Sequence, residues 1–333
     1  MTTLFDAAPA RGLLRDTDTE FRFGEAADEF ALATSAACAC PRPDLAVVAV
    51  RGADALTFLQ AQLITNLSAL AAGFGTLSAW CTPQGRVSFL FHLVPAEDGF
   101  RLLVPASESA RLAQRLRMFV LRARVTIEEL SAEHAVLGVA IPSGAPGPEL
   151  TRPPGMRYAL GAPADGVHAL CIDASARYLV WGETRALTDW WARATLPAVG
   201  SAAWRLLDVT EGHADIAGGF ANEFLPQQLN LDMLDVLAFD KGCYPGQEVI
   251  ARLRYRGEVK ARLLCGRAAG QLAEGVSLRA GERSAGRVLK AVAVAPDETR
   301  FLAVVELAVR DAVRADGAPG LALAFETPPY WRA

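Results

Sequence analysis

The chain has 333 residues, enough for two or three domains, and its mix of 52% hydrophobic and 21% charged residues is that of a globular protein able to bury a sizeable core. A net charge of −4 argues against a general polyanion binder, and no apolar run reaches the roughly 18 residues of a membrane span. Asp6 sits in an N-terminus without a basic-then-apolar pattern, so neither a secretory signal nor a transit peptide is expected, and the cytoplasm is the default compartment.

Residues 1–40 are rich in Ala and acidic groups without a clear period and are expected to be a partly ordered lead-in. Leu45-Ala-Val-Val-Ala-Val50 is short and wholly apolar, which reads as a buried strand. Asp54 is placed to cap a helix over residues 55–63, with Leu56, Leu59 and Leu63 on one face. A single Gly at the preceding turn speaks against a dinucleotide fold. Residues 76–82 and 86–94 flank Pro83-Gln84-Gly85, a hairpin connection, and residues 100–104 supply a third strand. Leu112, Leu116, Phe119 and Val120 recur at helical spacing in 108–124, and strands follow at 125–130 and 135–141. Mixed hairpins and crossovers of this kind predict an α+β layer rather than a doubly wound sheet.

Residues 142–166 hold six Pro and five Gly, the composition of a long irregular connection. A strand pair at 167–173 and 178–181 precedes a helix at 184–196. Beyond Gly257 the sequence breaks into short β-rich runs at 259–266, 276–280, 286–295, 300–307 and 321–325, which predict a small C-terminal β-barrel over 258–333. A folding body of two subdomains is thereby expected over 41–257.

The most informative stretch is Lys241-Gly-Cys-Tyr-Pro-Gly-Gln-Glu248. Tyr-Pro-Gly is a turn, because Pro presets φ and Gly accepts φ > 0. Gln247 to Leu253 then reads as a short helix, with Val249, Ile250 and Leu253 on one side. Cys243 therefore lies in a tight loop ahead of a helix N-terminus and two residues from Lys241, a setting that favours a reactive sulfur. Read from these residues alone, the stretch is either such a loop or a structural turn around a buried cysteine. The other cysteines, at 38, 40, 81, 171 and 265, show no CxxC pattern, and neither they nor the four scattered histidines form a metal motif.

Lys-Gly-Cys-Tyr-x-Gly-Gln-Glu, followed by Ala-Arg and Arg-Gly, resembles the signature of the YgfZ family, folate-binding proteins related to the glycine-cleavage T-protein. Gly52-Ala-Asp-Ala with Phe58-Leu-Gln-Ala-Gln62, and Pro226-Gln227 with Asn230-Leu231, are similar to other segments of that family in the same order. The resemblance implies a T-protein-like body, tetrahydrofolate or a one-carbon derivative as cofactor, and a role in iron–sulfur cluster assembly or repair with a link to tRNA modification. It implies iron–sulfur client or assembly proteins as partners beside the folate; the net charge and the thin aromatic content of the basic run speak against nucleic acid, and the absence of a long apolar run against a membrane.

By the same resemblance, Cys243 is the redox-active or nucleophilic thiol and Lys241 either tunes it or meets the folate tail. Trp204 lies where the family places a tryptophan against folate, and Tyr244, Gln247, Glu248 and Arg254 complete the expected cofactor set. A second aromatic wall would fall near Leu45, which is not aromatic. Arg86-Val-Ser88-Phe89 stands where the T-protein carries a catalytic carboxylate, and Glu211 is out of register with the acidic residue expected before Gly212. Without those groups aminomethyl or methyl transfer is the second reading. A scaffold or RNA-binding module using Arg252, Arg254, Arg256, Lys260 and Arg262 is the third.

Overall fold

A computed structural model describes Leu4, residues 13–15, Thr17 and residues 19–331, with the side chain of Arg256 left aside. The chain divides into two compact units. One comprises residues 1–62, 66–78 and 89–204, and the other residues 63–65, 79–88 and 205–333. The boundary expected at 257/258 falls inside the second of these.

Two five-stranded sheets supply the framework of the first unit, strand residues 79–81 and 87–88 being grouped with the second. In one, the strands run in the spatial order Thr76–Cys81, Val87–Ala96, Gly99–Pro105, Leu45–Arg51 and Thr126–Glu129. Leu45–Arg51 is an inner strand with Ala46 to Val50 fully buried, which is why its sequence is a continuous apolar run rather than an alternating one. Helix Ala106–Arg117 buries Leu112, Ala113 and Leu116. It stops short of the predicted Arg124 because the Arg117 guanidinium donates to the Ile127 carbonyl at 2.7 Å, turning the chain back toward the next strand. Asp54 stands before helix Ala55–Gln60 but makes no cap bond. Its carboxylate instead accepts from the Arg124 backbone N–H at 2.7 Å, and hydrogen bonding by Arg124 holds its pKa below the ordinary value.

The other sheet runs Leu160–Ala164, Val167–Cys171, Arg177–Glu183, His134–Ala140 and Cys38–Pro41. Its core holds Leu137, Val139, Tyr178, Val180, Trp190 and Trp191, the tryptophans coming from helix Thr184–Ala194. The irregular connection expected over 142–166 is shorter than that, because Leu160–Ala164 is a strand paired with Val167–Cys171, and within it Leu150 is buried in this core. Part of the lead-in is ordered. Ala26–Ser35 is a helix, and Cys38–Pro41 pairs with His134–Ala140 as an edge strand. Buried Glu29 fastens this region by accepting N–H bonds from Phe23, Gly24 and Gly200 at 2.6, 2.9 and 2.9 Å. The remainder of the lead-in, residues 1–3, 5–12, 16 and 18, lies outside the described residues.

The second unit carries a six-stranded antiparallel sheet ordered Arg314–Ala315, Ser277–Ala280, Arg283–Ala295, Glu298–Glu306, Ala261–Ala268 and Leu323–Glu326. Leu264, Leu278, Val288, Phe301, Ala303 and Val305 form its core. Gly266 is required there, since a Cβ at that position would sit 2.3 Å from the Phe301 ring. Its outermost strands are not paired with each other among the described residues, so the β-rich C-terminus is a curled half-barrel rather than a closed barrel. The mixture of helices and sheets is the α+β class expected from the sequence. Among the described residues no helix is long and apolar enough to cross a membrane.

Candidate functional site: the Cys243 loop

The loop from Asp240 to Gly246 belongs to the second unit, and its backbone is fixed from several sides. Lys241 Nζ donates to the Leu63 carbonyl at 2.7 Å and to the Thr65 carbonyl at 2.8 Å. The same short segment is joined to the approach to the loop by Ala238 N–H to the Ile64 carbonyl at 2.9 Å and by Thr65 Oγ1 to the Val236 carbonyl at 2.9 Å. Lys241 also lies 5.1 Å from the Tyr244 ring centroid. Burial lowers the Lys241 pKa to about 8, because carbonyl dipoles replace only part of the water an ammonium loses.

Tyr244 is buried, with its hydroxyl donating to the Ala238 carbonyl at 3.1 Å, and burial raises its pKa. Gln247 closes the turn reciprocally. Its side-chain oxygen accepts the Tyr244 N–H at 3.3 Å, while its own N–H donates to the Tyr244 carbonyl at 3.2 Å. Gly246 has φ +82°, and a Cβ there would lie 2.5 Å from the Thr82 carbonyl oxygen and 2.6 Å from the Gly85 Cα. That approach seats the loop on the hairpin turn whose Gly85 N–H donates to the Thr82 carbonyl. Sequence reading placed the turn correctly, but not the segment of residues 63–65 nor the hairpin that hold it.

Helix Gln247–Arg256 starts at this turn with Glu248 exposed in its first turn. Ile250 is fully buried, Leu253 half-buried and Val249 39% exposed, so the apolar side is narrower than its three residues implied. Cys243 is exposed, whereas the other five cysteines are buried. Lys241 acts as the strut of the loop, its donors directed at backbone carbonyls. Arg254 places its guanidinium 4.1 Å from the Phe239 ring centroid.

Trp204 is a different matter. It sits on helix Ser201–Glu211, is 1% exposed, and has the guanidinium carbons of Arg42 and Arg177 each 5.3 Å from its ring centroid. Gly138 lies so close that a Cβ there would be 2.6 Å from the ring. Trp204 is thus packed among core residues, with Arg42, Arg177 and Gly138 close to its ring. Ser88 donates its hydroxyl to Asn222 Oδ1, so this hairpin position carries a neutral pair in place of a carboxylate.

No protein-family model matches the chain. The chain is 32% identical over 276 residues to the tRNA-modifying protein YgfZ of Edwardsiella ictaluri, covering 77% of this chain and 80% of the relative. Its likeness to the protein of the same name from Serratia proteamaculans is 30% over 288 residues, covering 79% and 82%. In structure it is similar to the glycine cleavage system aminomethyltransferase T of Bartonella henselae, with a TM-score of 0.76 at 15% identity, covering 98% of this chain and 97% of that one. That likeness shows the aminomethyltransferase fold, and the sequence likeness shows the kinship: the chain belongs to the YgfZ family.

Proposed function

We propose that the chain shares the tRNA-modifying role for which its relatives are named, acting as a folate-binding protein in iron–sulfur cluster assembly or repair with Cys243 as the working thiol. One observation carries the reading. Of six cysteines Cys243 alone is exposed, and it stands on a loop whose neighbouring polar groups are committed to holding that loop. A sulfur presented in this way is available to attack an electrophile or to be oxidised reversibly. A cluster, in this reading, is the cargo of a client protein.

Tetrahydrofolate or a one-carbon derivative is the cofactor favoured by the fold and the family. The residues fit it only in part. Trp204 offers no open ring face, and Tyr244 and Gln247 are committed to the loop, which leaves Glu248 and Arg254 exposed on their helix. Aminomethyl transfer is disfavoured by the neutral Ser88–Asn222 pair where that chemistry needs an acid.

The test has two arms. Cys243→Ala replaces the native gene and modified nucleosides in bulk tRNA are quantified by mass spectrometry, while the purified wild-type protein is titrated calorimetrically with tetrahydrofolate. Loss of cluster-dependent modifications in Cys243→Ala together with saturable folate binding by the wild type supports both parts. Full modification in Cys243→Ala removes the thiol role, and absence of binding to the wild type removes the folate role.

A further inference from the structure

Three of the eight large apolar side chains exposed among the described residues fall within four positions of the chain. Met118 is 63% exposed, Phe119 38% and Leu121 88%. Helical spacing predicts that Phe119 continues the buried face of Leu112 and Leu116, but helix Ala106–Arg117 ends before it and these three side chains stand in water. The turn that carries them is pinned at both ends. At its start the Arg117 guanidinium holds the Ile127 carbonyl, and the Phe119 and Val120 N–H groups donate to the carbonyls of Leu116 and Arg117 at 3.0 and 3.1 Å. At its end the Asp54 carboxylate accepts from the Arg124 N–H, and Gly52 approaches so closely that a Cβ there would lie 2.1 Å from the Arg124 carbonyl oxygen. A fixed backbone, and not a fraying helix end, presents the apolar tip.

The charge around the tip is of one sign. Residues 109–127 hold five arginines and no acidic residue, in a chain whose net charge is −4. Arg111 is answered by Glu108 at 2.6 Å and Arg124 by Asp54 at 3.1 Å. Arg117 directs its donors at a carbonyl, which leaves its positive charge uncompensated. Arg122 is exposed and in no ion pair among the described residues. Clustered apolar side chains on a polar rim mark contacts with another protein or a membrane.

We infer that this turn seats the protein on an anionic lipid surface, with Met118, Phe119 and Leu121 entering the boundary between headgroups and acyl chains and Arg117 and Arg122 meeting lipid phosphates. The contact is peripheral, so it needs no membrane-spanning helix. RNA phosphates would answer the arginines but offer nothing to Met118 and Leu121. A second copy of the chain would set cations against cations. A protein partner would need an acidic rim around a pocket shaped for a protruding leucine, whereas a bilayer accepts a convex apolar tip without one. Neither the thiol of Cys243 nor the folate reading enters this inference, and failure of either leaves it standing.

The test co-sediments the purified full chain with vesicles of phosphatidylcholine and phosphatidylglycerol in equal parts, and with vesicles of phosphatidylcholine alone. Binding to the anionic vesicles that exceeds binding to the neutral ones by about tenfold or more, and that falls with added salt, is the expected result. Replacing both Met118→Ser and Leu121→Ser removes apolar surface without changing charge, and should weaken binding to the anionic vesicles by about tenfold or more. Arg122→Glu should weaken it by about tenfold or more as well. All three side chains are exposed, so Tm should not change. Absence of binding to the anionic vesicles overturns the inference, and so does equal binding to both kinds of vesicle. Binding that is unchanged in the double serine variant or in Arg122→Glu overturns it too. A dimer in sedimentation velocity of the lipid-free protein that the double serine variant abolishes would assign the patch to a second copy of the chain and overturn it likewise.

Discussion

Lys241 shows how a single charged side chain reports on its surroundings. Its pKa is lowered by burial to about 8, against 10.5 for an ordinary lysine. Between those values the unfolded chain still holds a proton that the folded chain has released, so the unfolded state binds more protons and stability rises with pH. Below pH 8 both states are protonated and the cost of burying the ammonium is fully present. The expected outcome is that the wild type gains stability relative to Lys241→Met as pH rises through the window from about 8 to 10.5, as measured by urea denaturation on both sides of pH 8. A difference that stays flat across the window would mean the ammonium keeps its water. No local pattern betrays this shift, because the two carbonyls that receive Lys241 lie 178 and 176 residues away. The surroundings of Trp204 are hidden from local sequence for the same reason. The residues that close over it, Arg42, Gly138 and Arg177, are distant in the chain, and a tryptophan looks alike in sequence whether it waits for a ligand or fills a core.

Elements meet through a few close approaches and buried ion pairs, and two of these can be tested. Gly246 and Gly85 allow the turn before helix Gln247–Arg256 to lie against the hairpin turn. Gly246→Ala puts a side chain at φ +82° and drives its Cβ to 2.5 Å from the Thr82 carbonyl oxygen. The left-handed conformation alone costs about 1–2 kcal/mol, and the clash adds to it. Faster proteolysis within residues 240–247 than in the wild type should accompany the loss of stability. The Pro-Gly turn itself was legible, since its chemistry is local, whereas its fit against another glycine was not. The second case is Lys290, on strand Arg283–Ala295. Burial opposes its charge, but Asp208 and Asp215, each 2.7 Å away, outweigh that and raise its pKa. The Lys290 and Asp208 side chains are each 7% exposed. Lys290→Met removes the ammonium that faces the buried Asp208 carboxylate and should destabilise the protein by about 3–5 kcal/mol. Adding Asp208→Leu should recover a large part of that loss, because the apolar pair leaves no buried charge behind. Guanidinium denaturation of the single and double variants checks both values.

At the scale of the whole molecule, what the sequence revealed followed the range of the forces involved. Leu45–Arg51, the strand pair Val167–Cys171 and Arg177–Glu183, and helix Thr184–Ala194 announce themselves through runs and periods a few residues long. Cys38–Pro41 is a four-residue edge strand whose partner begins at His134, so no local pattern marked it. The same distinction governs the cysteines. Their spacing says nothing about access, yet the fold separates them sharply. Burial pushes the thiols of Cys38, Cys171 and Cys265 up to about 12 and those of Cys40 and Cys81 up as well. Sulfurs so placed are both shielded from reagents and held in the unreactive protonated form. Cys243 stands outside this group, exposed on its loop. The folded protein at neutral pH should therefore react with a thiol-specific reagent such as DTNB at one site, and the unfolded protein at all six. Cys243→Ala should lose the native-state reaction and retain five sites after unfolding. Release of a second equivalent from the folded wild type, on the timescale of the first, would show that one of the buried sulfurs is reached without global unfolding. The assignment of reactivity to the Cys243 loop alone would then fail.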